Sequence, residues 1–462
     1  MGRLRRPMIT RMNGVAELQA AFRSQALSPV EAAEESLRRI EVLDSAIGAF
    51  VTVTPDVAMS AAAASEERWR RGAPVSPIDG IPFALKDLTP TAGVRTTYGS
   101  LQYADHVPDV DAAYWTRLRA AGAVLVGKTN TPEFGAIPST ENRLGPPTRN
   151  PWNRGMTAGG SSGGSAAALA GGMVGLAEGS DGGGSIRIPA SCCGVVGIKP
   201  SRGRVSQGPL FGEAMSGLAT SGPMGLSVAD CLLMLHAMEG ADAGDPYPRP
   251  APAPWAPVTR VGVVTGSAHA RVDEAVAGAV TAVARELEAI GVSVEAVDLP
   301  LAGFDEAFET VWAVGLASNP HPDLERADVP VRKQVERGRR ITAVEYEHAR
   351  VRLHRLARKL RVAMDPFDAC LLPVLTTPPR PLGFAHAAGS GASTWSWLAY
   401  TYPFNATGQP SIALPAATSA DGLPIGVQLV GRLGEDERVA HLAARWEAAR
   451  GLPHPRPPGI DW

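Results

Sequence analysis

The sequence predicts an α/β fold, because short apolar runs alternate with stretches of helical spacing. Three such runs, each bounded by glycine or proline, are Ile81–Leu85, Ala123–Val126 and Val195–Ile198. Helical patterns lie between them at Ala112–Ala121 and Ser165–Gly171. Apolar runs of this length are typical of buried strands, so we expect a sheet covered by helices.

The second half of the chain repeats this alternation. Val261–Val264, Val272–Ile290 and Val292–Val297 read as a strand, a helix and a strand. The remaining predicted elements are three buried strands and one closing amphipathic helix, at Ala369–Leu375, Ser411–Leu414, Ile425–Val430 and Asp436–Arg450.

One domain over residues 1–462 is the expected organisation. Its parts are an N-terminal helical layer (about 10–72), a core (about 73–240), a proline-rich connection (245–257) and a C-terminal part (258–462). The N-terminal layer has a helix start at Ser28-Pro29 followed by Glu31. Because one sheet can take strands from both halves, the proline-rich connection is not necessarily a domain boundary.

Composition excludes several functional classes. The 462 residues are 45% hydrophobic with a formal net charge of −2, which is typical of a globular protein and disfavours a nucleic-acid partner. Basic residues cluster only at Arg3, Arg5 and Arg6, and at 332–361, where glutamates interrupt them. The longest charge-free apolar run, 163–177, is short for a bilayer, and no apolar segment follows Arg6 to form an export signal. We therefore predict a cytoplasmic protein that does not bind membranes.

Metal and cofactor chemistry are also not indicated. The four cysteines have no C-x-x-C spacing, which favours buried, reduced thiols. No histidines pair as H-x-x-x-H, and no cluster of histidine, cysteine and carboxylates has zinc spacing. The expected site contains neither a metal nor an organic cofactor.

The most unusual segment is 158–189, where two glycine clusters each precede a serine, Ser161 and Ser185. Glycine-rich backbone approaches a ligand closely, and its successive N–H groups can form an anion-binding concavity. In an acyl-transfer enzyme this concavity is an oxyanion hole. Its predicted donors are the backbone N–H groups of Gly182, Gly183, Gly184 and Ser185.

A serine nucleophile needs a base, and Lys86 is the candidate. It ends the apolar run Ile81–Leu85, where burial would lower its pKa and make the neutral amine a general base. From spacing alone, a salt bridge between Lys86 and Asp87 or a side chain that reaches solvent is the preferred interpretation.

The chain resembles the amidase signature family. The two serines are 185 − 161 = 24 positions apart, as in that family, and the context of Lys86 is similar. Further similar motifs are Gly127-Lys128-Thr129-Asn130, Arg149-Asn150-Pro151-Trp152, Ser185-Ile186-Arg187-Ile188-Pro189, Gly408-Gln409-Pro410 and the stretch from Gly422 to Gln428.

The resemblance implies a three-layer α/β/α sandwich around a large mixed β-sheet. It implies that Ser185 attacks an amide carbonyl and that Ser161 passes the proton to Lys86. Asp181 and Arg187 would hold the loop, and Ser162 would join the hydrogen-bond network. Gly182 departs from the family pattern, which often has a threonine or isoleucine there, and this puts the rigidity of the loop in doubt.

Two other motifs compete with this interpretation. Gly159-Gly160-Ser161-Ser162-Gly163 matches the nucleophile elbow of α/β-hydrolase esterases, with Ser161 as nucleophile, but the segment 150–158 before it does not resemble a buried strand. Gly122–Thr129 matches the phosphate-binding loop pattern, but its middle residues read as a strand.

The substrate is expected to be a small, aryl or oligo-amide, with esters and carbamates also open. Segments 303–345 and 380–405 would shape the pocket, with Trp312, Asn319 and Tyr400 as candidate substrate-binding residues. An alternative function is the catalytic subunit of a glutamine-dependent aminoacyl-tRNA amidotransferase. The sequence leaves open a homodimer and does not identify the substrate.

Overall fold

The computed structural model describes residues 14–210, 213, 215–242, 244–247, 249–251, 254–266, 270–388, 392–451, 456–458 and 460. The N-terminal arginine cluster and the start of the predicted helical layer lie outside these residues.

Thirteen strands are present in the described part of the chain. They are β1 (Phe50–Val53), β2 (Pro82–Lys86), β3 (Val124–Thr129), β4 (Arg149–Asn150), β5 (Asn153–Thr157), β6 (Leu176–Asp181), β7 (Val196–Lys199), β8 (Thr220–Gly225), β9 (Arg260–Val263), β10 (Ser293–Ala296), β11 (Ala369–Pro373), β12 (Ser411–Thr418) and β13 (Pro424–Gly431).

The helices of the first half are α1 (Val15–Arg23), α2 (Pro29–Ile47), α3 (Pro55–Arg70), α4 (Ala113–Ala120), α5 (Gly163–Ala170), α6 (Arg187–Cys193) and α7 (Val228–Met238). Those of the second half are α8 (Glu274–Ala289), α9 (Phe304–Ala317), α10 (Val329–Gly338), α11 (Ala343–Met364), α12 (Phe384–Ala388), α13 (Ala392–Trp397), α14 (Tyr402–Thr407) and α15 (Asp436–Arg450).

Eleven strands form one mixed sheet in the order β1-β3-β2-β6-β8-β7-β12-β13-β11-β9-β10. The pairs β2–β3, β2–β6, β9–β11 and β9–β10 are parallel, and the others are antiparallel. Strands from both sides of the proline-rich connection join where β12 pairs with β7, with Ser411 opposite Lys199.

Each face of the sheet packs against its own helical layer. Along β2, Phe83 and Leu85 belong to one apolar cluster and Ala84 to the other, as the alternation of side chains in a strand requires. Helices α1, α4, α7, α8 and α15 cover one face, while α5, α6, α9, α11 and α14 lie on the opposite face. The predicted α/β/α sandwich is confirmed.

The segment before Ser161 forms a small hairpin, although its sequence does not resemble a buried strand. β4 pairs with β5, but β5 is largely exposed and lies outside the main sheet. The nucleophile elbow requires a buried strand at this point, and none is present. Three of the four middle residues of the phosphate-loop match, Val124–Val126, belong to β3, so this segment does not form an open loop.

Candidate active site

Lys86 is the last residue of β2, between the parallel strands β3 and β6. Its side chain is fully buried, and its Nζ lies 2.8 Å from Oγ of Ser161 and 3.0 Å from Oγ of Ser180. Among the described residues no salt bridge to Lys86 is formed, so the alternative of a bond to Asp87 is not observed. The amine is held by hydroxyl groups inside the protein.

The surroundings of Lys86 favour the neutral amine. Burial lowers the pKa of Lys86 to about 7, although the charges of Glu178 and Asp181 act in the opposite direction. Burial also raises the pKa of Glu178, whose Oε2 accepts from the backbone N–H of Lys86 at 3.0 Å. Both shifts move this pair of buried groups toward uncharged forms at neutral pH.

Ser161 lies in the loop just before α5 and is buried. The peptide bond between Gly160 and Ser161 is cis. A Cβ on Gly160 would lie 2.6 Å from the backbone nitrogen of Ser139, so a side chain cannot be accommodated there. The backbone N–H of Ser162 donates to the carbonyl of Ser185 at 3.2 Å, which joins the two serine loops.

Ser185 lies between β6 and the N-terminus of α6. Only 7% of its surface is exposed, and it lines the same cavity as Ser161 and Ser180. No hydrogen bond joins the hydroxyls of Ser161 and Ser185 in the described part of the chain. The structure thus places Lys86 and Ser161 in direct contact and brings Ser185 to the same cavity.

Asp181 and Arg187 form a buried ion pair that holds the loop between them. Nε of Arg187 lies 2.9 Å from Oδ2 of Asp181, and both side chains are inaccessible to solvent. Burial opposes the charge on Asp181, but the guanidinium of Arg187 and the amide of Asn405 keep the pKa of this carboxyl below its ordinary range. Arg187 also donates to Oδ1 of Asn405 at 2.7 Å and to Oε1 of Gln428 at 3.0 Å.

The predicted oxyanion donors differ in their availability. The N–H of Gly184 donates to Oδ1 of Asp181 at 2.7 Å, so it already has an acceptor inside the protein. Within the described residues the N–H groups of Gly182, Gly183 and Ser185 have no hydrogen-bond partner. The buried carboxylate of Asp181 needs donors inside the protein, and the loop supplies backbone N–H groups, among them that of Gly184.

The cavity beside the two serines has a volume of about 460 Å³. Trp312 and Asn319, predicted from the sequence to bind substrate, both line it. Tyr400 does not: its side chain is fully buried, and its hydroxyl lies 3.3 Å from the carbonyl of Ala270. Its ring packs in the apolar core, so the structure does not place Tyr400 on the wall of this cavity.

Several lining residues were not predicted. Ser180 is two positions after Glu178 and therefore lies on the same side of β6. Because β6 was not predicted from the sequence, this relationship could not be used. Thr89 and Tyr114 share a hydrogen bond at 2.9 Å on the cavity wall, and Thr89 donates to Oε2 of Glu178. No spacing in the sequence connects these residues with the serines.

Among the described residues, no group of three or more histidine, cysteine, aspartate or glutamate side chains could hold a metal ion. All four cysteines are free and buried. Of the helices described, none is both long and apolar enough to cross a bilayer.

Comparisons with known proteins give one consistent result. The family model described as Amidase matches residues 31–440. An acylamidase of Rhodococcus erythropolis is 34% identical over 94% of this chain and 94% of its own. One chain of the glutamyl-tRNA(Gln) amidotransferase of Methylococcus capsulatus is 34% identical over 96% of this chain and 99% of its own. The structure of a 6-aminohexanoate cyclic dimer hydrolase superposes with a TM-score of 0.89 at 30% identity, covering 97% of this chain and 99% of that one.

Proposed function

Because this chain belongs to the amidase family and is a hydrolase acting on amides, we propose that it cleaves carboxylic amide bonds through an acyl-enzyme on Ser185. One observation carries the assignment of roles: the buried amine of Lys86 lies 2.8 Å from the hydroxyl of Ser161, beside the cavity that Ser185 also lines. A desolvated amine in contact with a hydroxyl is suited to accept a proton through it.

In the first half of the reaction, Oγ of Ser185 attacks the carbonyl carbon. Its proton passes to Ser161, whose own proton moves to the neutral amine of Lys86. The tetrahedral oxyanion is stabilised by the unpaired N–H groups of Gly182, Gly183 and Ser185. When the C–N bond breaks, the proton returns through Ser161 to the departing nitrogen, which leaves as an amine.

In the second half, water attacks the ester formed on Ser185. The same two groups take a proton from the water and return it to Oγ of Ser185. One amide and one water give one carboxylic acid and one amine, and Lys86 ends the cycle as the neutral base. The chain supplies every group in this cycle, so the proposal needs no metal or cofactor.

Asp181 and Arg187 act by holding the loop. The carboxylate of Asp181 accepts from the backbone N–H groups of Gly184 and Ile186, at 2.7 and 3.2 Å, on either side of Ser185. Fixed backbone N–H groups lose little free energy to reorganisation when the oxyanion forms. The hydroxyl of Ser162 lies 3.3 Å from the backbone N–H of Ser180, which ties the Ser161 loop to β6.

A role in a glutamine-dependent amidotransferase is a second candidate, favoured by the similarity to the glutamyl-tRNA(Gln) amidotransferase chain over 96% of this chain. In that role the protein would release ammonia from glutamine and pass it to a partner. Hydrolysis of glutamine by the isolated chain, stimulated by partner chains and ATP, would support it. The purified protein acting alone on simple amides would support the free-standing amidase.

The test uses purified protein and a panel of anilides, aliphatic amides and esters, followed by detection of the released amine or alcohol. An aryl sulfonyl fluoride, which sulfonylates activated serines, is added in parallel and the intact mass is measured. We expect hydrolysis and one added sulfonyl group in the parent protein, and neither in Ser185→Ala.

Ser161→Ala is the matched variant, because it removes the second serine of the same cavity. If Ser185→Ala retains both hydrolysis and sulfonylation while Ser161→Ala loses them, Ser161 is the nucleophile and the proposal is wrong. Loss of both activities in both variants agrees with Ser185 as the nucleophile and Ser161 as its relay.

A further inference from the structure

A second, much smaller pocket opens beside Ser185. Its volume is about 40 Å³, and its walls include Ile137, Ile188, Phe308, Trp312 and Leu398. Ser185 and Gly183 line it as well, whereas Ser161 and Ser180 do not. Ser185 therefore lies between two recesses of very different size.

Trp312 has the largest side chain of the three residues that line both recesses; the other two are Gly135 and Ser185. Its ring stacks on Phe308 with the centroids 5.8 Å apart, and Phe308 is fully buried. A Cβ on Gly182 would lie 2.9 Å from Cζ3 of Trp312, so the ring packs directly on the loop that carries Ser185. The absence of a side chain at Gly182 is what allows this contact.

The position of Ser161 distinguishes the two recesses chemically. The group that returns a proton to the departing nitrogen must lie on the same side of the reacting carbon as that nitrogen. Ser161 lines only the large cavity. The amine part of a substrate then lies in the large cavity, and the acyl part extends from the reacting carbon away from Ser161.

We propose that the small pocket is the acyl-binding site and that it selects amides of short, neutral, apolar carboxylic acids, with Trp312 separating the acyl part from the amine part. This inference rests on the proposed function, because it needs Ser185 to be acylated. It assigns the large cavity to the amine, which can be aromatic or extended.

The volume and the walls of the small pocket determine the acyl group. A water-sized group takes roughly 10–15 Å³ of such space, so about three groups fit beyond the carbonyl. Among the described residues no charged side chain lines the pocket, and a charged acyl group would lose its hydration there without a partner. Acetyl to butanoyl amides fit, whereas hexanoyl and benzoyl amides exceed the space.

The experiment compares two series of chromogenic anilides. In the acyl series, acetyl, butanoyl, hexanoyl and benzoyl groups are joined to one aniline; in the amine series, one acetyl group is joined to anilines and naphthylamines. The parent protein should lose at least about tenfold in kcat/KM between butanoyl and hexanoyl, because one misplaced methylene changes the rate about 10- to 200-fold. The amine series should change much less.

Two substitutions at one position test the pocket in opposite directions. Ile137→Phe narrows it and should lower the butanoyl-to-acetyl ratio of kcat/KM about tenfold, whereas Ile137→Ala widens it and should raise the hexanoyl-to-acetyl ratio about tenfold. Leu88 lines only the large cavity, so Leu88→Phe and Leu88→Ala are the matched controls. They should alter the amine series and leave the acyl ratios within about twofold.

The outcomes separate this inference from the proposed function. If the protein hydrolyses the anilides and Ser185 is sulfonylated, but the Ile137 variants change the amine series and leave the acyl ratios unaltered, the two recesses are exchanged and the inference is wrong. A preference of the parent protein for hexanoyl or benzoyl amides also overturns it. Absence of both hydrolysis and labelling overturns the proposed function itself.

Discussion

The hydroxyl of Ser180 lies 3.0 Å from Nζ of Lys86, so the buried amine has a hydroxyl partner on β6 as well as in the Ser161 loop. Two hydroxyl partners restrict the position of the amine more than a single partner would. Of the two, only Ser161 belongs to the proposed proton path. Ser180 is thus a candidate positioning residue.

Replacing Ser180 by alanine should slow the reaction without preventing it. We expect a fall of about tenfold in kcat with little change in KM, because the amine loses one of its two hydroxyl contacts and keeps only the long contact of 3.4 Å to the carbonyl of Ser180 on β6. Loss of an acceptor for the ammonium form should also move the acidic limb of the pH–rate profile to lower pH. Ser180→Thr keeps the hydroxyl and should restore both values. An unshifted limb in Ser180→Ala, with equal loss in Ser180→Thr, would indicate a merely structural role.

Activity should rise with pH through the neutral range. The proposed base is the neutral amine, and burial lowers the pKa of Lys86 from 10.5 to about 7. Below that value the ammonium form dominates, so kcat/KM should increase about tenfold per pH unit and level off above it. Measurement from pH 5 to pH 10 with a neutral substrate checks this. A limb near pH 10 would contradict the lowered pKa.

Asp181→Asn should strongly destabilise the fold. The substitution leaves the guanidinium of Arg187 buried without its counter-charge, which typically costs about 3–5 kcal/mol in the free energy of unfolding. Urea denaturation of the parent and the variant measures the difference. Glu66→Gln is the control, because its partner Arg70 is 61% exposed at the side chain and such pairs contribute at most about 1 kcal/mol. Equal effects of the two substitutions would contradict a structural role for the buried pair.

A side chain at Gly184 should disrupt the loop of Ser185. Gly184 has φ +130°, and a Cβ there would lie 2.5 Å from Oγ1 of Thr401. Gly184→Ala should therefore lower the free energy of unfolding by at least about 2 kcal/mol and reduce activity. At Gly278 in α8 a Cβ would meet no atom within 4 Å, so Gly278→Ala should stabilise the protein by about 0.5–1 kcal/mol. A melting temperature unchanged in Gly184→Ala would argue against the close contact.

The sequence predicted the elements with strong apolar patterns. The helix α15 begins and ends at the predicted residues, and β13 differs from its predicted range by one residue at each end. By contrast, β6 and β8 are rich in glycine, serine and other small or polar residues, which have low strand propensity. They form because they pair along six positions in the centre of the sheet, from Leu176 opposite Gly225 to Asp181 opposite Thr220.

Contacts between distant segments also limited the prediction of the candidate site. Glycine clusters and the position of Lys86 at the end of a strand made the three central residues candidates, because those features are local in the sequence, and the resemblance to the amidase signature family supplied their roles. The cavity wall is assembled from distant segments, so Tyr114 and Thr89 could not be connected with it. Trp312 lines the cavity, whereas Tyr400 is buried in the core. Both are aromatic residues in segments without a regular pattern, so the sequence could not distinguish them.

The contacts of Arg187 determine when the loop of Ser185 can fold during synthesis of the chain. Its guanidinium is held by Thr401, Asn405 and Gln428, more than two hundred positions later in the chain. The segment that carries Ser185, the proposed nucleophile, therefore cannot acquire its final shape until almost all of the polypeptide has left the ribosome. A nascent or truncated product that ends before these residues should therefore have no hydrolytic activity.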